Sequence, residues 1–421
     1  MTLRRLAIAA LAFPLLAGCV TDETLGTRPT PLGGSMFTSY VALGTSLGAG
    51  ILSGGINDST QQNAYPYKLA VAMGLTPGVN WYYPSLTYPG CPAPYADIRL
   101  GTRIAVIPGG CALRSAPAPY ENNLSIPSIR VGQLINITRL EFRPTDTLGL
   151  AQFITGSVNP VDMMARARPT FVTLEIGAND VLGAATRGDT LLLTSVDTFT
   201  TYFRRVADRI DSTHAQVAVA TVPRVMASPH FTEASVLFCL KTGLCPGVPA
   251  TPPFSSPNFL VNANCAPAAA GGAGDTYALT FTALSGIASR LAAADSARIA
   301  CGTGTADTLL MRAGAAGWLS AGPSLNPAEF ATVVARTTAF NTLIRTEATA
   351  RGWAVADVDS ALASAAVQAQ VPPIPGLSAV DPNAIMGTLF SQDGLHPTTA
   401  GQQILFTVFK NAINAMFGSS L

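Results

Sequence analysis

The sequence predicts an α/β fold built around a parallel sheet, and three observations carry that expectation. Short apolar runs alternate with segments of helical periodicity along most of the 421 residues. The runs end in Gly, Asn, Asp or Pro, residues that turn the chain sharply. After residue 20, no apolar run reaches the roughly 20 residues that a membrane-spanning helix needs. The mature chain therefore reads as soluble and globular, although only 12% of its residues are charged.

Five segments read as strands: 39–44 (SYVALG), 79–86 (VNWYYPSL), 171–177 (FVTLEIG), 216–222 (QVAVATV) and 353–359 (WAVADVD). Four read as helices: 61–74, 198–210, 327–351 and 397–417. Pro397 is suited to the first turn of the last of these. Two long stretches break the rhythm. Residues 87–120 are rich in proline and carry two cysteines, and residues 229–275 carry three. Segments of this length without regular structure are usually functional or cross-linked. Both read as disulfide-braced insertions over the carboxyl ends of the strands, where open α/β sheets bind ligands, with surface decoration as the alternative, evenly balanced for the first.

The first nineteen residues form a signal peptide, with Arg4 and Arg5 ahead of a short apolar stretch from Leu6 to Leu16. Leu16-Ala17-Gly18-Cys19 resembles the bacterial lipobox, in which the cysteine is acylated and becomes the new N-terminus. Several acyl chains on Cys19 would anchor the protein firmly to a membrane. No Asp follows Cys19 to suggest retention at the inner membrane, so an outer-membrane lipoprotein is expected. Residues 20–36, rich in Thr, Pro and Gly, read as a flexible tether. The folded domain is expected over 37–418.

The chain has seven cysteines, and the six beyond Cys19 suit disulfides in an exported protein. Nearest-neighbour pairing is expected: Cys91–Cys111, Cys239–Cys245 and Cys265–Cys301. A metal site is the rival reading, but there is no Cys-x-x-Cys and no His at ligand spacing from a Cys. Neither a metal nor a cofactor is expected. With 25 Lys and Arg against 24 Asp and Glu, no basic field exists to hold nucleic acid.

The chemistry concentrates in a few places. Gly44-Thr45-Ser46-Leu47-Gly48 fits the nucleophile-elbow pattern of α/β-hydrolases, although here at most one strand precedes the serine. A serine nucleophile needs a general base, and there are three histidines. His214 reads as an exposed loop residue, and His230 follows a strand end with no carboxylate nearby in sequence. His396 has Asp393 three residues earlier, in SQDGLHPTTAG. In a tight turn that carboxylate can hold Nδ1–H of His396 and leave Nε2 free to take a proton. Asn179, in EIGAND after an apolar strand, could donate its amide to a developing oxyanion.

A Ser after the first strand, Gly-x-Asn-Asp after a middle strand and Asp-x-x-His before the last helix together resemble the SGNH/GDSL hydrolase family. The resemblance implies a three-layer α/β/α sandwich with a five-stranded parallel sheet, the flavodoxin-like fold of that family, here with disulfide-braced insertions. It implies ester hydrolysis with Ser46 as nucleophile, His396 as base and Asp393 as its orienting acid. Asn179 and the backbone N–H of Ser46 would form the oxyanion hole. Two departures stand out. Thr45 occupies the position of the family's Asp, where it can hydrogen-bond but brings no charge. Ser128, in NLSIPSIRV, falls where the family supplies a glycine N–H, with Gly90 as the competing candidate for that donor. The expected substrate is a small-molecule or lipid ester. An envelope-glycan O-acetyl esterase and a non-catalytic binding lipoprotein are the alternatives.

Overall fold

The computed structural model describes residues 34–106, 111, 121–136, 149–156, 158–302, 309–312, 318–320, 323–377 and 379–421. The signal peptide, Cys19, the tether up to residue 33 and much of the first insertion beyond residue 106 lie outside the described residues.

The chain builds a parallel sheet of β1 (Tyr40–Leu43), β2 (Phe171–Leu174), β3 (Gln216–Ala220) and β4 (Ala354–Ala356), adjacent in that order. Tyr40 pairs with Phe171, and Leu174 with Val219, so the carboxyl ends of the first three strands lie level. β1 and β2 are buried along their whole length. Their near-continuous apolar sequence is what a strand covered on both faces requires.

The two faces follow from side-chain alternation. Val41, Leu43, Val172, Leu174, Val217 and Val219 point to one side. There they meet three helices: α3 (Ala178–Arg187), α4 (Val196–Asp211) and α5 (Pro327–Arg351). The Phe199 and Phe340 rings stack at 3.8 Å within that layer. Tyr40, Ala42, Phe171, Ala218, Ala220 and Ala354 point the other way, onto α2 (Tyr65–Ala72) and α6 (Thr399–Phe417). The small alanines on this face let Phe409 and Leu405 of α6 approach the sheet closely.

Helix boundaries follow local chemistry. Asn326 caps α5 in a reciprocal arrangement with Glu329, with Pro327 in the first turn. The segment expected as one helix over 61–74 is two, Asp58–Asn63 and α2, separated by an extended Ala64. Pro66 cannot donate a backbone hydrogen bond back into the first helix, so the chain breaks there. α6 starts two residues later than expected. Thr398 is its cap, accepting from the Gly401 N–H, and Pro397 lies just outside.

The sheet differs from the expected five strands. Among the described residues four are found, and 79–86 is not one of them. The free edge of β1 is bordered by residues 122–124. The Ala42 N–H donates to the Asn122 carbonyl and the Leu124 N–H to that of Ala42, both at 2.8 Å. The apolarity of 79–86 serves aromatic packing instead. Trp81 is fully buried, stacked 6.0 Å from Tyr40 and 5.9 Å from Tyr83. A short apolar run does not by itself distinguish these fates.

The second insertion is larger than 229–275. From Phe231 to Leu325 the chain forms an antiparallel three-stranded sheet, Phe231–Glu233, Ala278–Thr280 and Ser324–Leu325. A second sheet contains Phe259–Val261, Ala297–Ile299, Leu309–Arg312 and Trp318–Ser320. Leu237, Phe259, Leu284 and Ile287 give the region its own core. Composition marks only its first part, because the helix Phe281–Ala292 is as apolar as those of the main domain. The three disulfides are Cys91–Cys111, Cys239–Cys245 and Cys265–Cys301, the expected pairing. No helix among the described residues is long and apolar enough to cross a membrane.

Candidate active site

β1 ends at Leu43, and the chain turns through Gly44 and Thr45 into a single helical turn, α1 (Ser46–Ala49). Thr45 sits at the cap position, yet its hydroxyl makes no cap bond. It donates instead to Glu175, at 2.9 Å from both carboxylate oxygens, and the Thr45 N–H donates to Oε2 at 2.9 Å. Glu175 is the residue after β2, directly beside this turn, and its own N–H donates to the Leu43 carbonyl. The carboxyl is buried. Burial pushes its pKa up to about 7, against the pull of the Thr45 and Gly48 donors and the charge of His396. Thr45 therefore does have a carboxyl partner at this turn, supplied from the end of the neighbouring strand.

The rest of α1 is gripped as firmly. The Asn123 amide donates to the Gly48 carbonyl, and the Gln402 amide of α6 donates to that of Leu47. A Cβ on Gly48 would lie 2.4 Å from the Ser125 hydroxyl, so any other residue there would have to displace that side chain. Ser46 is left partly exposed on the outer side.

Asp393 and His396 lie in a turn closed by the Ser391 N–H donating to the His396 carbonyl at 2.7 Å. Asp393 Oδ1 accepts from the backbone N–H groups of Leu395 and His396, both at 2.9 Å, and from the Ser391 hydroxyl at 3.2 Å. Oδ2 accepts from Gly54 N–H at 2.8 Å and from His396 Nδ1 at 2.9 Å. Burial opposes ionisation of this carboxyl. The charge of His396 and the converging donors outweigh it and hold the pKa far below the carboxylate range. An ionised carboxylate only accepts, so His396 carries its proton on Nδ1 and leaves Nε2 as the basic nitrogen.

Asn179 stands in the first turn of α3, and its side-chain amide donates to the Ile129 carbonyl at 2.9 Å. That uses one of its two N–H groups. The neighbouring Asp180 accepts from Val131 N–H and the Thr194 hydroxyl. Burial raises its pKa to about 6. Two consecutive side chains of α3 thus hold residues 129–131.

Ser46, Asn179 and His396 all line one cleft. Its remaining wall is mostly apolar, with Leu182, Val225, Leu389, Phe390 and Leu405. Ser128 and Gly90 are not among its lining residues. Ser128 is exposed with a left-handed backbone (φ 65°), and Gly90 is buried against the Ile56 carbonyl. His214 is exposed on a turn, and His230 packs behind the Asp393 turn. Sequence reasoning missed Glu175, Ser391 and the Gly54 donor. Glu175 did leave a signal, since a carboxylate directly after a fully buried strand must find buried partners.

Glu175 makes a prediction for stability. The folded protein holds its proton more tightly than the unfolded chain does. It therefore contributes stability that is complete below the ordinary value of 4.5 and lost as the pH rises through about 7. The change is on the order of 3 kcal/mol. Glu175→Gln is expected to flatten the fall in unfolding free energy between pH 4.5 and 8, measured by denaturant titration. An unchanged slope would show that the group does not titrate there.

No protein-family model and no curated protein matches the chain. Among solved structures, it is similar to TesA, at 11% identity over 90% of this chain and 99% of that one, with a TM-score of 0.33. It is similar to a protein described as a GDSL-like lipase from Parabacteroides merdae, at 11% identity over 89% and 95%, with a TM-score of 0.34. LAE5, an alpha/beta hydrolase enzyme from the metagenome of Lake Arreo, Spain, is similar at 12% identity over 91% and 99%, with a TM-score of 0.34. At such identities and TM-scores, the chemistry of this chain rests on its own side chains.

Proposed function

We propose that this protein is a serine carboxylic-ester hydrolase that works through an acyl-enzyme on Ser46. The observation that carries the reading is the 2.9 Å Asp393–His396 pair opening into a cleft that also exposes Ser46 and Asn179. Ser46 Oγ attacks the ester carbonyl while His396 Nε2 takes the hydroxyl proton, and Asp393 stabilises the imidazolium. The oxyanion of the tetrahedral intermediate accepts from the Asn179 amide and from the Ser46 N–H, which as a first-turn donor lacks an intrahelical acceptor. Collapse expels the alcohol, which leaves with the proton from His396. Water then repeats the sequence on the acyl-enzyme and releases the carboxylic acid.

The apolar cleft wall supports an acyl group larger than acetyl, and so a lipid or other fatty ester over an acetylated glycan. The test is a soluble form of the wild type on a panel of p-nitrophenyl esters of increasing chain length, acetylated sugars and a fluorophosphonate label. Labelling with hydrolysis of the longer acyl esters supports the reading. Activity confined to acetylated sugars overturns the substrate class, and a protein neither labelled nor active favours the non-catalytic binding reading.

Membrane tethering through a lipidated Cys19 belongs to the same proposal, supported by Leu16-Ala17-Gly18-Cys19 behind a short basic and apolar leader. Cys19→Ala is expected to move the protein out of the membrane fraction. Its continued sedimentation with membranes, resistant to salt, would remove the tether.

A further inference from the structure

His230 is a histidine that the reaction above leaves unused, and its surroundings are specific. The loop after β3 runs from Pro223 to Pro229, and five of its residues, Pro223, Arg224, Val225, Ala227 and Ser228, line the cleft. His230 ends that loop and precedes the first strand of the second insertion. There it meets the Asp393 turn twice. Its backbone N–H donates to the Gly394 carbonyl at 3.2 Å, and its Nδ1 lies 2.8 Å from the Asp393 carbonyl oxygen. A carbonyl only accepts, so Nδ1 carries the hydrogen and donates it.

The approach is close. A Cβ on Gly394 would lie 2.7 Å from the His230 nitrogen, and Gly394 itself has a left-handed φ of 71°. The ring is largely buried, at 5.1 Å from the Phe231 ring and 6.4 Å from that of Phe281, both part of the insertion. Burial lowers its pKa, although the Asp393 carbonyl and carboxylate pull the other way.

We infer that His230 is a positioning residue, whose Nδ1–H bond to the Asp393 carbonyl clamps the Asp393–His396 turn to the cleft loop and the disulfide-braced insertion. The reason lies in geometry. Asp393 already spends its carboxylate on five donors, four of them within or beside its own turn. Those bonds shape the turn and tie it to Gly54, but none of them reaches the cleft loop after β3. The two bonds from His230 join the turn to the loop whose residues 223–228 line the cleft. The insertion then serves catalysis by holding the base at the right distance from bound ester, where a displacement of about 1 Å costs roughly 100-fold in rate.

This inference rests on the ester-hydrolase reading, and the experiment separates the two. His230→Ala, His230→Asn and His230→Gln are compared with the wild type for kcat and KM on a p-nitrophenyl ester, with folding checked by thermal melting. An Asn amide nitrogen takes the place of Nδ1, whereas Gln places its amide where Nε2 was. His230→Ala and His230→Gln are expected to lose roughly 10- to 100-fold in kcat with KM little changed. His230→Asn recovers most of that loss. The far-downfield proton resonance of the His396 Nδ1–H persists in His230→Asn and broadens or shifts in His230→Gln.

Equal kcat in the Gln and Asn variants, or full activity in His230→Ala, overturns the role of His230 and leaves the hydrolase reading intact. If His230→Ala does not fold, the Asn–Gln comparison decides alone. An inactive wild type overturns the hydrolase reading, and the positioning role with it.

Discussion

Ser46→Ala is expected to lower kcat for p-nitrophenyl esters by roughly four to six orders of magnitude and to abolish fluorophosphonate labelling. KM changes little, because the hydroxyl is a small part of the cleft surface. The size of the effect follows from the loss of covalent catalysis, since the Thr45 hydroxyl that shares the cleft is held on the buried Glu175 carboxyl. Ser228 also lines the cleft, but its hydroxyl is committed to the Val225 carbonyl at 2.8 Å. Fold and stability should hardly move. The grip on α1 comes from Thr45, Gly48, Asn123 and Gln402 and uses no atom of the Ser46 hydroxyl. A mutant that still hydrolyses ester at the wild-type rate would sink the nucleophile assignment.

The second large effect is Asp393→Asn, expected to lower kcat about 10⁴-fold while His396 keeps its place. The argument is one of donors and acceptors. Oδ1 receives three donors and Oδ2 receives two, so the replacement amide has nowhere to put its NH2 without meeting a donor. The better orientation keeps oxygen against Leu395, His396 and Ser391. The amide nitrogen then faces Gly54 N–H and His396 Nδ1. Nδ1 becomes an acceptor, the proton moves to Nε2, and Nε2 can no longer take a proton from the nucleophile. Kinetics with a structure of the variant test this directly. An undiminished kcat would mean that the tautomer of His396 is set by something other than Asp393.

These effects show how much of the site could be read without coordinates. Asp393 and His396 are three residues apart, and the chain between them closes a turn on itself, so their pairing is local. Ser46 after a strand and Asn179 at a helix start are likewise legible, because strand periodicity and turn residues announce both positions. Ser128 was a matter of matching a pattern by position, and the structure puts it on the surface beside the segment Asn179 holds. The fifth strand failed for a related reason. The aromatic run at 79–86 has strand-like composition, but Trp81 is worth more stacked beneath β1 than paired along its edge.

What the sequence by itself determined is the order of elements: a parallel sheet, a serine turn after its first strand, an Asp-x-x-His turn before its last helix, and six cysteines suited to disulfides. Each is encoded within a few dozen residues by periodicity, turn chemistry or cysteine spacing. Only the tertiary structure decided what surrounds them. Glu175 meets Thr45 across 130 residues, Gly54 meets Asp393 across 339, and His230 meets the same turn across 163. Such contacts leave no mark in sequence spacing. A buried carboxylate or amide takes whichever donor the packed elements bring within 3 Å, and packing is a property of the whole chain.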